Sequence, residues 1–183
     1  MSRLSVLWFA AALAAGVPIE AEEPPMAIPS ENAPTDPVAA QKKKGAEFLA
    51  KVDAEKGVRR TPSGLRIRIV QDGDGSSPSS TDTVRVHYRG TLVDGTEFDS
   101  SYKRDVPATF PLIGVIACWT EGLQLVKSGG KATLYCPSEI AYGDKGFSSL
   151  IPPGATLVFD VELLGIEGPN EGAAVSPSAK TQS

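Results

Sequence analysis

Histidine and cysteine are scarce in this sequence, which has one histidine and two cysteines among 183 residues. Structural zinc sites take four ligands, so a Cys/His zinc site has too few ligands here. His87 falls on the outer face of a predicted strand, away from other catalytic residue types, which argues against a metal ligand or a Ser-His-Asp set. Neither a G-x-S-x-G motif nor a P-loop occurs. The sequence therefore predicts chemistry that uses no metal and no cofactor.

An excess of positive charge is also missing. The chain has 18 Lys and Arg against 22 Asp and Glu, which gives a formal net charge of -4. Nucleic-acid-binding domains are usually basic, with Lys and Arg clustered on one face. The charge balance therefore predicts no nucleic-acid partner.

Long apolar runs are absent except at the N-terminus, over residues 4–17. That run is too short to span a bilayer comfortably, follows Arg3, and leads into "PIEA". This layout is typical of a secretory signal peptide, here residues 1–21. We expect cleavage after Ala21, with Ala15 as the alternative site, and no stable membrane insertion afterwards.

The rest of the chain divides by composition into four segments. Residues 22–38 are rich in Pro and acidic residues, so they cannot bury a core and predict a disordered spacer. Helix formers over residues 39–56 predict one short amphipathic helix. The patterned domain follows at 57–167, and the small, polar residues 168–183 predict a disordered tail.

The two cysteines, Cys118 and Cys136, are too far apart for a Cys-x-x-Cys redox motif. An exported chain with an even number of cysteines fits one disulfide. Cys136 falls on the inward face of a predicted strand, and Cys118 begins the helix expected to cover that face. The pattern favours a disulfide, and two buried free thiols remain the alternative.

Period-two alternation dominates the domain, as in "LRIRI", "TVRVHYRG", "KATLYC" and "TLVFDVELL". Such alternation is typical of antiparallel strands with one buried and one wet face. One helical stretch, "CWTEGLQLV", interrupts the pattern and ends at "KSGG". The prediction is an α+β fold in which a curved antiparallel sheet wraps around one short α-helix.

The stretch "DGTEFDSSYKR" places Phe98, Asp99 and Arg104 close together. A solvated loop does not need the aromatic ring, and a core has no place for the carboxylate unless something pairs with it. Other segments outside a plain sheet carry further apolar residues. Together they predict an aromatic cup with a polar rim, lined also by Tyr88, Val115, Ile116, Trp119, Tyr142, Phe147, Leu150, Ile151 and Phe159.

Three of these segments, "VHYRGTLVDGTEFDSS", "VIACWTEGL" and "AYGDKGFSSLIPPGATLVFDVELL", resemble the FK506-binding-protein (FKBP) family of peptidyl-prolyl cis-trans isomerases. The resemblance runs from about residue 57 to 168. "GVRRTPSGL" and the signal peptide resemble the exported bacterial, macrophage-infectivity-potentiator-like group. Members of that group often carry a long helical dimerisation domain, for which only residues 39–56 are available here, so we expect a monomer.

The resemblance implies a role for each residue of the cup. Trp119 is expected to form the floor, and the Ile116 N–H and Tyr142 hydroxyl to donate to substrate carbonyls. The expected catalytic residues are Tyr88, Phe98, Asp99, Ile116, Trp119, Tyr142 and Phe159. The expected substrate-binding residues are Arg104, Val115, Phe147, Leu150 and Ile151.

The chain departs from the family pattern at three positions. Ala108 stands where an aromatic residue often packs, Phe147 stands where a histidine is common, and Cys118 replaces a glycine beside the tryptophan. The first two departures are expected to reshape the rim without removing the pocket.

The resemblance implies an isomerase that accelerates X-Pro isomerisation in exported proteins, located in the periplasm or secreted. Its expected partners are unfolded proline-containing chains and, as inhibitors, rapamycin-type macrolides. One alternative is a periplasmic chaperone that binds peptides with little isomerase activity. A thiol oxidoreductase using Cys118 and Cys136 is disfavoured, because the Cys-x-x-Cys motif and a thioredoxin-like β-α-β order are missing.

Export predicts that the mature protein lacks the first 21 or so residues, because the apolar run of residues 4–17 is followed by a small-residue cleavage site. Intact-mass spectrometry of the envelope fraction measures the mature N-terminus. A chain that keeps Met1 and stays in the cytosol would contradict the prediction.

Overall fold

The computed structural model describes residues 36–169. The predicted signal peptide, the spacer up to residue 35 and the tail from residue 170 lie outside the described residues. Within residues 36–169, no helix combines the length and apolar character needed to cross a membrane. The elements are α1 (Pro37–Asp53), β1 (Val58–Arg60), β2 (Arg66–Gln71), β3 (Asp82–Leu92), β4 (Glu97–Ser100), α2 (Ser101–Arg104), β5 (Ala108–Pro111), α3 (Ala117–Leu123), β6 (Lys131–Cys136) and β7 (Leu157–Pro169).

The strands form one seven-stranded antiparallel sheet in the order β1-β2-β6-β7-β3-β4, with β5 also paired to β3. The long central pair β3–β7 sets the register, with Val86 opposite Leu163 and Tyr88 opposite Val161. Side chains alternate between faces along each strand, so this register puts the apolar residues on one side. The α+β class predicted from the sequence is confirmed.

The main core lies between this face of the sheet and α3. Leu123 and Leu134 are fully buried at the contact, and Trp119 is 4% exposed. The absence of a side chain at Gly122 permits the close approach, since a methyl group there would lie 2.8 Å from Leu134 Cδ2. The core therefore holds α3, and with it the residues at its start, in one position on the sheet.

The alternation predicted that the other face of the sheet is exposed to solvent. This prediction is wrong for part of that face, because α1 covers it. Leu49 and Val52 of α1 pack on Tyr135, which is 5% exposed, in a second small core. Arg66, predicted on the wet face, is buried and makes a two-bond ion pair with Asp53, its Nε and Nη2 donating at 2.9 and 2.8 Å. Burial of an arginine is tolerable here because the carboxylate compensates its lost hydration.

Three boundaries differ from the expected ones. Helix α1 begins at Pro37 instead of residue 39, because the Asp36 side chain accepts the N–H of Val38 at 2.8 Å and caps the helix. It ends at Asp53 instead of residue 56. Strand β7 continues to Pro169, beyond the expected boundary at 167, because its last residues still pair with β3.

The predicted disulfide between Cys118 and Cys136 is present, with the two Cα atoms 5.8 Å apart. Both cysteines are fully buried. The bond joins the first turn of α3 to the end of β6, so it tethers the helix to the sheet next to Trp119.

We expect loss of this bond to lower the free energy of unfolding by about 3 kcal/mol, because it closes a loop of about 20 residues in the unfolded chain. Denaturant unfolding of the oxidised protein against the Cys118→Ala/Cys136→Ala double variant measures the difference. Thiol titration of the denatured, unreduced wild type is the control and should find no free thiol. Two free thiols per chain would contradict the bond.

Candidate active site

A cavity of about 510 Å³ opens between the sheet, the start of α3 and the loop after β6. Its volume lies in the range of small-molecule and peptide side-chain pockets. The lining is mostly aromatic and aliphatic: Tyr88, Phe98, Asp99, Phe110, Gly114, Val115, Ile116, Trp119, Tyr142, Phe147, Ser148, Leu150, Ile151 and Phe159. The structure therefore brings together eleven of the twelve predicted site residues, and Arg104 lies just outside this lining.

Trp119 lies at the floor of the cavity. Its ring meets three others edge to face, with centroid distances of 5.2 Å to Tyr88, 5.5 Å to Phe110 and 5.3 Å to Phe159. Edge-to-face contacts are the favoured geometry for aromatic pairs. The three rings come from β3, β5 and β7, so the indole is held by three different strands. Its Nε1–H makes no hydrogen bond within residues 36–169.

Phe98 forms a side wall and packs edge to face on Phe159 at 5.6 Å. A glycine on β3 makes room for it: a methyl group on Gly90 would lie 2.5 Å from Phe98 Cε2 and 3.0 Å from Phe159 Cε1. Any larger residue at this position would displace the Phe98 ring. Glycine is therefore needed at position 90 to make room for the two rings, and not for its backbone conformation.

Asp99 is held at the cavity wall by three donors, one of which is the Ser100 N–H, donating to Oδ1 at 2.8 Å. Arg104 Nη1 donates to Oδ1 at 2.5 Å, and the Tyr88 hydroxyl donates to Oδ2. Arg104 Nη2 also donates to the Tyr88 oxygen at 3.2 Å. Helix α2 sets this geometry, because Ser100 caps its start and Arg104 ends it, one turn after Asp99. Arg104 thus acts on the cavity through Asp99 and Tyr88.

The pKa values around this group follow from those contacts. Burial raises the pKa of the Asp99 carboxyl, but the bonds from Tyr88 and Arg104 outweigh it and hold the pKa below its ordinary value. Burial, with Asp99 adding to it, raises the pKa of Tyr88, and the same two causes raise that of Tyr142. At neutral pH the carboxylate is therefore charged and both phenols keep their protons.

The loop after β6 forms the opposite rim. Tyr142 stacks on Phe147 with centroids 4.9 Å apart and an interplanar angle of 25°. Phe147 and Leu150 are exposed at the mouth, at 58% and 57%, whereas Ile151 is buried at 4%. The rim thus offers apolar surface both inside and beside the cavity.

The Ile116 N–H and the Tyr142 hydroxyl, like the Trp119 Nε1–H at the floor, have no hydrogen-bond partner within residues 36–169. The Ile116 N–H is at the N-cap of α3, where a backbone donor lacks an intrahelical acceptor. The Tyr142 hydroxyl likewise donates to no acceptor in the described part of the chain. Both groups are available to a ligand with carbonyl oxygens.

Sequence reasoning missed Phe110, together with Gly114 and Ser148. The family pattern places an aromatic residue at Ala108, where this chain has none. Residues two apart on a strand point to the same face, so Phe110 of β5 reaches the cavity in place of a side chain at Ala108. The period-two rule, applied to "PATFP", contained this signal.

Residues 75–164 match the family model for FKBP-type peptidyl-prolyl cis-trans isomerase. The chain is 49% identical over 139 residues to the probable FKBP-type isomerase FkpA of Neisseria meningitidis, covering 76% of this chain and 51% of that protein. It is 41% identical over 126 residues to the outer membrane protein MIP of Legionella longbeachae, covering 69% and 54%. The chain thus spans about half the length of the curated relatives it matches.

Solved structures agree with the sequence comparisons. The crystal structure of FkpA from Escherichia coli superposes with a TM-score of 0.70 at 50% identity, covering 72% of this chain and 61% of that one. A peptidyl-prolyl cis-trans isomerase from Pseudomonas syringae superposes with a TM-score of 0.67 at 36% identity, covering 73% of this chain and 98% of that one. Fold, cavity and similarity lead to one conclusion: the chain belongs to the family of FKBP-type peptidyl-prolyl cis-trans isomerases.

Proposed function

We propose that the protein catalyses cis-trans isomerisation of X-Pro peptide bonds in exported polypeptides. The observation that carries the proposal is the cavity itself. It is an aromatic enclosure whose wall has one paired carboxylate, and the Ile116 N–H and Tyr142 hydroxyl on that wall have no partner in the described part of the chain. Similarity to FkpA proteins, whose names state this activity, supports it. The proposed catalytic residues are Tyr88, Phe98, Asp99, Ile116, Trp119, Tyr142 and Phe159.

The reaction needs no bond to be made or broken. Rotation about a peptide bond costs about 18–20 kcal/mol because resonance is lost in the twisted state. Exchange of X-Pro isomers therefore takes tens to hundreds of seconds without a catalyst. A pocket that binds the twisted amide more tightly than the planar one lowers that barrier.

Each part of the cavity contributes to that preference. The twisted amide has lost charge separation, so its carbonyl suffers less from desolvation on the apolar walls than a planar amide does. We propose that the proline ring lies on Trp119, between Phe98 and Phe159. The Ile116 N–H and Tyr142 hydroxyl then fix the flanking carbonyls, which orients the chain for rotation.

The proposed partners are unfolded or partly folded chains that contain proline, bound with help from Val115, Phe147, Leu150 and Ile151. Rapamycin-type macrolides are the proposed inhibitors, as expected of the family. We further propose a periplasmic or secreted location and a monomer. The predicted signal peptide and the similarity to the outer membrane protein MIP support export.

A second candidate function is peptide binding with little isomerase activity, which the exposed Phe147 and Leu150 at the cavity mouth favour. Protease-coupled isomerisation of short X-Pro peptides, with and without rapamycin, separates the two. Rate acceleration that the macrolide abolishes supports the isomerase. Suppression of client aggregation without acceleration would support the binding function instead.

Removal of a cavity wall should lower kcat/KM strongly. We expect Phe98→Ala or Phe159→Ala to reduce it roughly ten- to hundredfold, since each ring is worth about 1.5–3 kcal/mol of apolar contact. Phe48→Ala is the matched control, because Phe48 lies on α1, packs on Tyr135 of β6 and is not part of the cavity lining. Equal losses in the control would show that the effect is on folding and not on the pocket.

The pH profile should be flat between about pH 6 and 8, because no proton moves in the reaction. The pKa of Asp99 is lower in the folded state than its ordinary value near 3.9. The charged carboxylate therefore stabilises the folded site above that ordinary pKa, and this stabilisation is lost as the pH falls through the folded-state pKa. We therefore expect an acid limb only below about pH 4.

Asp99→Asn keeps the shape of the side chain and removes its titration. The variant should be less active than wild type at neutral pH, because the ion pair with Arg104 is lost. The fall of its activity at acid pH should also be smaller. Circular dichroism across the same range controls for acid unfolding. A bell-shaped profile centred near neutrality would contradict the mechanism.

A further inference from the structure

The loop of residues 143–154 forms one rim of the cavity and is closed by its own backbone. The Gly154 N–H donates to the Gly143 carbonyl at 2.9 Å, which joins the two ends of the loop. Near its tip, Phe147 and Ile151 exchange two backbone hydrogen bonds of 2.9 and 3.0 Å. Because the loop is closed in this way, a shift of its base moves the cavity side chains that it carries.

The first half of α1 packs against this base, although no residue of α1 lines the cavity. A methyl group on Gly154 would lie 2.9 Å from the Val38 carbonyl oxygen and 3.2 Å from Lys42 Cγ. Gly45 is buried against Thr156, just after the loop, and a methyl group on Gly45 would overlap the Thr156 hydroxyl. Contacts this close require glycine on both surfaces.

An ion pair also joins α1 to the base of the loop. Lys42 Nζ lies 2.5 Å from Oδ1 of Asp144, which is two residues after Tyr142. The hydrogen bond with Asp144 raises the pKa of Lys42, and the nearby Glu139 acts in the same direction. In the sequence, Glu139 comes before Tyr142 and Asp144 comes after it. The lysine therefore interacts with acidic residues that flank Tyr142 along the chain.

We propose that α1 clamps the 143–154 loop, and that Lys42 and Gly45 are positioning residues for Tyr142 and Phe147. Neither residue touches the substrate. The clamp acts through the Tyr142 hydroxyl and the ring stacked on it, since small errors in the placement of such groups cost much of the rate. The inference rests on the proposed isomerase function, because one of its two tests measures the rate of that reaction. The other test measures hydrogen exchange of the loop.

The ion pair is tested by charge reversal in the full chain. Both side chains are partly exposed, so we expect Lys42→Glu or Asp144→Lys to lower kcat/KM about two- to fivefold, the range of an exposed pair. The double reversal should restore part of the wild-type value, because the ion pair is re-formed while the charge of Glu139 stays in place. The matched control is the pair Arg68–Glu55, at 3.0 Å and similarly exposed, which joins β2 to the residues after α1 and contacts no cavity residue. Its reversals should leave kcat/KM unchanged.

The close packing is tested by adding a side chain to α1. Gly45→Leu cannot be accommodated against Thr156 unless α1 moves away from the loop. Ala46→Leu adds the same side chain on the exposed face of the same turn and is the matched control. We expect the first variant, and not the second, to lower kcat/KM for X-Pro peptides.

Amide hydrogen exchange reports on the loop without any substrate. In Gly45→Leu and the single Lys42 and Asp144 reversals, the amides of Phe147, Ile151 and Gly154 should exchange faster, while the strand amides of β3 and β7 keep their protection. Unchanged loop exchange would overturn the proposal, as would faster exchange with unchanged kcat/KM, or an equal loss of activity in either control. A wild-type protein without isomerase activity would contradict the proposed function, and loop exchange would still decide whether α1 clamps the loop.

Discussion

Trp119 packs edge to face on Tyr88, Phe110 and Phe159, and much of the structure depends on that contact. The indole belongs both to the core between α3 and the sheet and to the floor of the cavity. The buried bond from Cys118 to β6 holds the helix turn that presents it. Because one ring serves both purposes, the shape of the cavity is set by the same packing that stabilises the domain.

Asp99 is the polar counterpart of that apolar floor. A carboxylate at an aromatic wall is costly unless it is paired, and here Tyr88 and Arg104 supply the pairing. The same contacts fix the Tyr88 ring against the indole, so the ion pair also orients part of the wall. An isomerase needs a rigid, mostly apolar enclosure more than it needs a proton donor, and the arrangement is consistent with that need.

Much of the fold was predictable because alternation along a strand is a local property. "TVRVHYRG" and "TLVFDVELL" identified the strands β3 and β7 and the buried face of each, whereas their pairing at the centre of the sheet comes from the structure. Long-range packing was not predictable in the same way. Arg66 alternates correctly for a wet face, yet it is buried, because α1 returns over β2 and brings Asp53 to it. Phe110 follows the same logic: the family pattern points to Ala108, whereas the face that the two residues share on β5 brings Phe110 into the cavity.

By itself, the sequence determined the strands, the helix behind Trp119 and the residue types of the site, since periodicity, turns and family motifs are all local patterns. Only the tertiary structure decided which residues meet. It placed Phe110 in the cavity, left Arg104 behind Asp99, and brought the first half of α1 to the base of the 143–154 loop. Those contacts join residues far apart in the chain, and their distances depend on how whole elements pack, which no local pattern specifies.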